Sequence, residues 1–144
     1  MWSHGRSIMK NRKTLPAVIL TALLISSTCI AEPAALDFKD YDDDLMRTLD
    51  KTIKYFEPDI TAKNVDGATE DGEILLDGFK YTEDYFSKYK KEDAVQISRE
   101  GSALVSLALK LVADEDFEGA AANAREAISK CKACHDIYKP RQTR

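Results

Sequence analysis

The run Cys131-Lys132-Ala133-Cys134-His135 lies nine residues from the end of a 144-residue chain, and no other stretch restricts the fold as much. On a helix, two thiols three positions apart share one face, and a residue four positions on joins them. One helical turn thus presents two sulfurs and an imidazole to the same side. A C-x-x-C-H run reads as an attachment site for c-type haem. Two thiols at that separation add across the two vinyl groups of one porphyrin, and the next residue sets a ring nitrogen on the iron.

Three rival readings compete for the same residues. A thioredoxin-like dithiol needs a βαβ context, and the chain has no strand pattern. A structural zinc site wants four Cys or His ligands, and the chain beyond residue 31 has only these three. A disulfide stays open, although an i,i+3 pair on a helix strains its geometry.

Nothing acidic precedes Glu32. Lys10-Asn11-Arg12-Lys13 is followed by an apolar run from Leu15 to Ala31. This layout predicts a secretory signal over residues 1–31 and a mature domain over 32–144. The alternative is a membrane anchor, for which the run is short. Met9-Lys10 is a second candidate start. Ser26-Ser27-Thr28 lacks the small residue that lipid attachment at Cys29 requires just before the thiol, so Cys29 is expected to leave with the signal. Export agrees with the haem reading, because c-type haem is attached outside the cytoplasm, and places the domain in the periplasm.

The predicted leader carries four of the 21 basic residues and none of the 25 acidic ones, which leaves 17 − 25 = −8 for the mature domain. Nucleic acid and anionic membrane are poor partners for such a surface. A basic or neutral redox protein suits it better, and no membrane insertion is expected after cleavage.

Four helical segments follow. Phe38, Tyr41, Leu45, Leu49, Ile53 and Phe56 recur every three or four residues across 37–56, with acidic residues early, where the helix dipole favours them, and Pro58 as a stop. The second segment covers 64–80, with Val65, Ala68, Leu75, Leu76 and Phe79 inward. Gly67, Gly72 and Gly78 either weaken it or permit close packing. Thr82-Glu83-Asp84 predicts a fresh helix start, with Tyr85, Phe86 and Tyr89 on a short extra turn. The third segment covers 93–113, with Ile97, Leu104, Ala108 and Leu111 inward and Leu107 beside them. Asp114-Glu115-Asp116 breaks the pattern and caps a fourth helix over 117–138, ended by Pro140. Its face of Ala120, Ala121, Ala124, Ala127 and Ile128 suits helix propensity or a flat cofactor lying against it. Short links between four helices predict an all-α antiparallel up-down-up-down bundle, with haem near the end of the last helix.

Met46 is the only methionine beyond residue 31, and His135 the only histidine there. In this topology the start of the first helix lies beside the end of the last. Met46 is therefore the candidate distal iron ligand opposite His135, a pairing that raises the reduction potential of a c-type haem. The alternative is ordinary core packing. Arg47 and Lys51 are candidate partners for a haem propionate, or members of a solvated face.

The C-terminal Cys131-Lys132-Ala133-Cys134-His135, followed by Asp136 and Tyr138-Lys139 on the last helix of a predicted four-helix bundle, resembles the class II c-type cytochromes, the cytochromes c-prime, over essentially the whole mature chain. Met46 in Asp44-Leu45-Met46-Arg47 is similar to the low-spin members, whose first-helix methionine ligates iron. The resemblance implies a non-enzymatic monohaem electron carrier with one covalent haem c. The alternative is a five-coordinate haem protein that binds nitric oxide or carbon monoxide. A peroxidase is a weaker third reading, since no distal histidine is present. Redox partner, potential and pairing into a homodimer through a helix face are left open.

Overall fold

The structure, a computed structural model, describes residues 40–139. The signal reading of 1–31 with Cys29, the Phe38 turn and the Pro140 stop all lie outside those residues. Four helices make up the described chain: α1 Asp43–Thr61, α2 Val65–Lys88, α3 Glu92–Ala113 and α4 Phe117–Tyr138. Each packs against its neighbours in sequence, and α1 closes the ring against α4. The architecture is an all-α four-helix bundle, as the periodicity predicts.

The links explain the antiparallel order. Each is three residues long: a C-cap, a residue in the left-handed region and an N-cap. The middle residues are Lys63, Lys90 and Glu115, with φ of 59°, 55° and 60°. At each link the same pair of backbone bonds closes the preceding helix. Lys63 N–H donates to the Ile60 carbonyl and Asn64 N–H to that of Asp59. The equivalents are Lys90 to Ser87 with Lys91 to Phe86, and Glu115 to Val112 with Asp116 to Leu111. This is the Schellman motif, which usually places glycine at the left-handed position. Three N-caps are side-chain acceptors. Asp42 takes the Asp44 and Leu45 N–H groups, both at 2.9 Å. Asn64 takes Gly67 N–H, and Asp116 takes Gly119 N–H. Lys91 caps α3 without a side-chain bond.

Several boundaries differ from the sequence reading, for identifiable reasons. Pro58 does not stop α1, which starts at Asp43 and runs on to Thr61. Proline removes one intrahelical bond, but Ile60 beyond it is fully buried, and that burial carries the helix through another turn. Thr82 starts no new helix. Its hydroxyl donates to the Gly78 carbonyl at 2.8 Å, inside an unbroken α2. The inner face of α3 is rotated by about one residue. Gly101, Val105, Ala108 and Val112 are buried, Leu104 and Leu111 flank them, and Leu107 is exposed. Val65 is also exposed.

Two side-chain clusters fill the bundle. The larger joins Phe56, Ile60, Leu75, Phe79, Val105 and the alanines of α4. The smaller lies at the end where α1 and α3 begin and α2 and α4 end. It joins Tyr41, Tyr85, Phe86, Ala94 and Val95, with Met46, Tyr81, Cys134 and Tyr138 packed on it. Close approach between helices rests on two glycines in particular. Leu49 of α1 lies on Gly78 of α2, and the Phe79 ring of α2 lies on Gly101 of α3, where any Cβ would strike them.

Two stability predictions follow from this backbone and packing. Lys90→Gly and Glu115→Gly should each stabilise the chain by about 1 kcal/mol, because a left-handed L-residue carries a cost that glycine escapes. Gly101→Ala should instead destabilise it by about 1–2 kcal/mol: crowding against the buried Phe79 ring outweighs the helix-propensity gain. Urea midpoints followed by circular dichroism give both signs. A stabilised Gly101→Ala would show that the α2–α3 approach is looser than described.

Candidate functional site

The buried stripe of α4 continues without interruption into the cysteine pair. Ala120, Ala124 and Ala127 are buried, and Cys131 and Cys134 follow at the same alternation of four and three residues. Cys131 packs against the larger cluster and Cys134 against the smaller. Both thiols are free, with no disulfide between them. The Cys131 thiol points along its own helix toward the Ala127 carbonyl, 3.9 Å away. Burial pushes both thiols up to about 11, helped for Cys131 by Cys134 and for Cys134 by Asp93. At neutral pH both are protonated, which suits neither a redox dithiol nor a preformed thiolate site. Among the described residues, no three His, Cys, Asp or Glu side chains converge to hold a metal ion.

His135 is partly buried on the side of α4 that looks toward α1. Burial, and then the nearby Lys139 charge, hold its imidazole below the usual histidine range, while Asp50 and Asp136 push the other way. The ring is therefore neutral at pH 7, the form that can ligate a metal. Asp50 is the residue the sequence reading missed here. It lies one turn beyond Met46 on α1, bonded to Lys54 at 2.8 Å, and its carboxylate feels both His135 and Lys139. Its i+4 spacing from Met46 was the available signal.

Met46 packs on the same small cluster as Cys134. The structure thus sets Met46 of α1 and Cys134 of α4 against one side-chain cluster, with Asp50 in electrostatic reach of His135. Arg47 is exposed and paired with Asp44 on its own helix. Lys51 is exposed as well. Neither is held toward the cysteines.

The seam between α1 and α4 is the most sparsely packed of the four, and that between α3 and α4 the densest. Arg125 of α4 clasps Glu57 of α1 at 2.7 Å near the far end of the sparse seam. Toward Met46 and His135 no ion pair joins the two helices among the described residues. The donor set of a c-type haem is two reduced thiols one helical turn apart with a neutral imidazole beside them, and Cys131, Cys134 and His135 fit it.

Tyr138 completes this end. Its ring sits 4.7 Å from that of Phe86, and its hydroxyl donates to Asp93 Oδ1 at 2.5 Å. That bond holds the Asp93 carboxyl below its usual range. Burial, with the Asp93 charge, raises the Tyr138 phenol. A carboxyl whose folded pKa is depressed contributes stability above its unfolded pKa, and the contribution fades as pH falls through the folded value. Tyr138→Phe should therefore lower the melting temperature slightly near neutral pH, with solvent keeping the effect below about 1 kcal/mol. The gap to the parent chain should close on acidification below the ordinary carboxylate range. An equal gap at every pH would show that the hydroxyl makes no charge-assisted bond.

No protein-family model, no curated protein and no solved structure matches this chain.

Proposed function

We propose that the chain is a periplasmic monohaem c-type cytochrome that carries electrons, with Cys131 and Cys134 as thioether anchors, His135 as proximal ligand and Met46 as distal ligand. One observation carries the reading. A C-x-x-C-H run on the last helix shares a side-chain cluster with the only methionine beyond the proposed signal, presented by the helix across the sparsest seam. When bound, haem supplies an iron that exchanges one electron between ferrous and ferric states.

The chain's own residues have four tasks. The thiols of Cys131 and Cys134 would hold the group covalently, each S–H adding across one vinyl C=C with sulfur on one carbon and hydrogen on the other. No external oxidant or reductant is consumed. The neutral His135 ring offers a nitrogen lone pair from the same helical turn. Met46 offers a thioether from a second helix, so that the ligand pair ties α1 to α4. The packed tyrosines and Phe86 hold both helices in place, which keeps rearrangement on electron exchange small. Met/His ligation would place the potential toward the high end of the c-type range. Among the described residues no helix is long and apolar enough to cross a membrane.

Expression with a haem-attachment system should give a chain heavier by one haem, with a Soret band that survives acid-acetone extraction. Cys131→Ala combined with Cys134→Ala should abolish that covalent retention. A protein of bare-chain mass without Soret absorption would end the proposal. Parent spectra should be low-spin in both oxidation states, and Met46→Ala should convert them to high-spin with rapid carbon monoxide binding. A parent protein already high-spin would favour the gas-binding alternative, and an unchanged Met46→Ala spectrum would remove methionine from the iron.

A further inference from the structure

The residues from Cys131 to His135 lie close to a helix end. α4 stops at Tyr138, and Lys139 caps it with one backbone bond, its N–H donating to the His135 carbonyl at 2.8 Å. The last carbonyls of a helix have no partner within it, and helix ends open at little cost in free energy. Opening by one turn would break the Lys139 bond first and free the backbone of His135. An imidazole that must meet a metal at a fixed angle needs that turn closed.

Two side-chain bonds to α3 bracket this stretch. Before it, Lys130 reaches Glu100 at 3.0 Å. Beyond it, the Tyr138 hydroxyl donates to Asp93 Oδ1 at 2.5 Å, while the Tyr138 ring lies on Phe86 of α2 with centroids 4.7 Å apart. The two bonds differ in what their loss would do. Lys130 sits about two turns inside an unbroken helix and is shared with Glu126, 3.6 Å away. Without it the helix bonds around Cys131 still stand. Tyr138 is the last helical residue, so its bond acts where opening begins. Asp93 is a firm anchor for that bond. It lies in the first turn of α3, where the helix dipole favours a carboxylate, and the Asp93 and Ala94 N–H groups reach it. Ala94 and Val95, next to it in the chain, are buried.

We propose that Asp93 is a positioning residue for the proximal ligand: through Tyr138 it keeps the last turn of α4 closed, so that His135 stays in register with Cys131 and Cys134. The inference rests on the haem reading. Partners beyond the ligand shell that fix the orientation of a ligating histidine govern how well it serves the metal. Here that support comes through the backbone of the helix end, and no covalent bond is made or broken.

The first test is hydrogen exchange of the full mature protein as purified, followed by mass spectrometry. In Tyr138→Phe and Asp93→Ala the amides of 135–139 should exchange about three- to fivefold faster, the factor that a solvent-screened bond of this kind is worth. Those of 120–127 should not change. Asp93→Asn keeps an acceptor for the hydroxyl and should stay close to the parent. Glu57→Gln weakens an interhelical ion pair at the far end, between Glu57 and Arg125, and should leave 135–139 as they are. The second test is electron paramagnetic resonance of the ferric haem protein, whose line widths report the spread of imidazole orientations. The lines should broaden in Tyr138→Phe and Asp93→Ala and match the parent in Asp93→Asn and Glu57→Gln. Exchange over 135–139 unchanged in Tyr138→Phe, lines unbroadened in both disrupting variants, or equal broadening in Glu57→Gln would each overturn the assignment. A parent protein without covalent haem would instead overturn the haem reading, and the ligand role of His135 with it. That failure shows in the mass of the parent before any variant is made, so the two are told apart.

Discussion

The run of positions 120, 124, 127, 131, 134 and 138 along α4 governs the functional end of the molecule. Their alternation of four and three residues keeps one stripe of the helix facing inward. The first three are alanines, and their small size lets α3 come close, which makes the α3–α4 seam the densest in the bundle. The next two are cysteines. In a bundle without special chemistry those positions would hold leucine. Here the same packing that buries the alanines draws both sulfurs inward and keeps the thiols protonated. The helix ends in Tyr138, which turns the last inward position to an aromatic contact with Phe86 and a bond to Asp93. Fold and site are therefore one pattern read at different points.

Legibility in the sequence follows the strength of that pattern. The bounds of α4 match its predicted range, because Asp116 caps it and alanine fixes the period. Errors fell where a local signal was overruled by burial. Pro58 is a strong stop by itself, yet Phe56 before it and Ile60 after it are both fully buried, so the helix runs through. Thr82 has the composition of a cap, but its hydroxyl found the Gly78 carbonyl and, at 2.7 Å, the Tyr41 hydroxyl. The face of α3 was misjudged because leucine was weighted above valine and glycine. Gly101 is inward for the reason a larger residue is not, since the Phe79 ring occupies the space. The left-handed link residues Lys63, Lys90 and Glu115 were unreadable, because glycine is the usual signal and none is present. At the candidate site, Cys131, Cys134, His135 and Met46 are proposed from type and spacing alone. Asp50 and Asp93 depend on contacts between helices, which spacing along one helix does not carry.

The two ends of the bundle differ in kind. At the end built from Phe56, Ile60, Val105 and the α4 alanines, the core is closed and almost wholly apolar, and α1 is clasped to α4 by Glu57 and Arg125. At the other end the large side chains are tyrosines, and each must place a hydroxyl as well as a ring. Tyr41 settles its hydroxyl on Thr82, Tyr138 on Asp93, and Tyr85 on nothing. The rings nevertheless form an unbroken set of edge and tilted contacts from Tyr138 through Phe86 and Tyr85 to Tyr89 and Tyr41, with centroids 4.7 to 5.2 Å apart.

That difference decides where function can sit. An apolar core packed to high density tolerates neither insertion nor open polar groups. The tyrosine end meets the opposite conditions: a sparse α1–α4 seam, a neutral imidazole, two free thiols and one unbonded hydroxyl. The proposed haem belongs to this end for that physical reason, since it would supply partners for the thiols and the imidazole that the chain leaves incomplete. Tyr41 touches Tyr81 and Tyr85 and packs in one cluster with Met46 and Cys134. The tyrosine rings and the residues proposed to hold haem therefore belong to one aromatic layer, so a change in the packing of either is felt by the other.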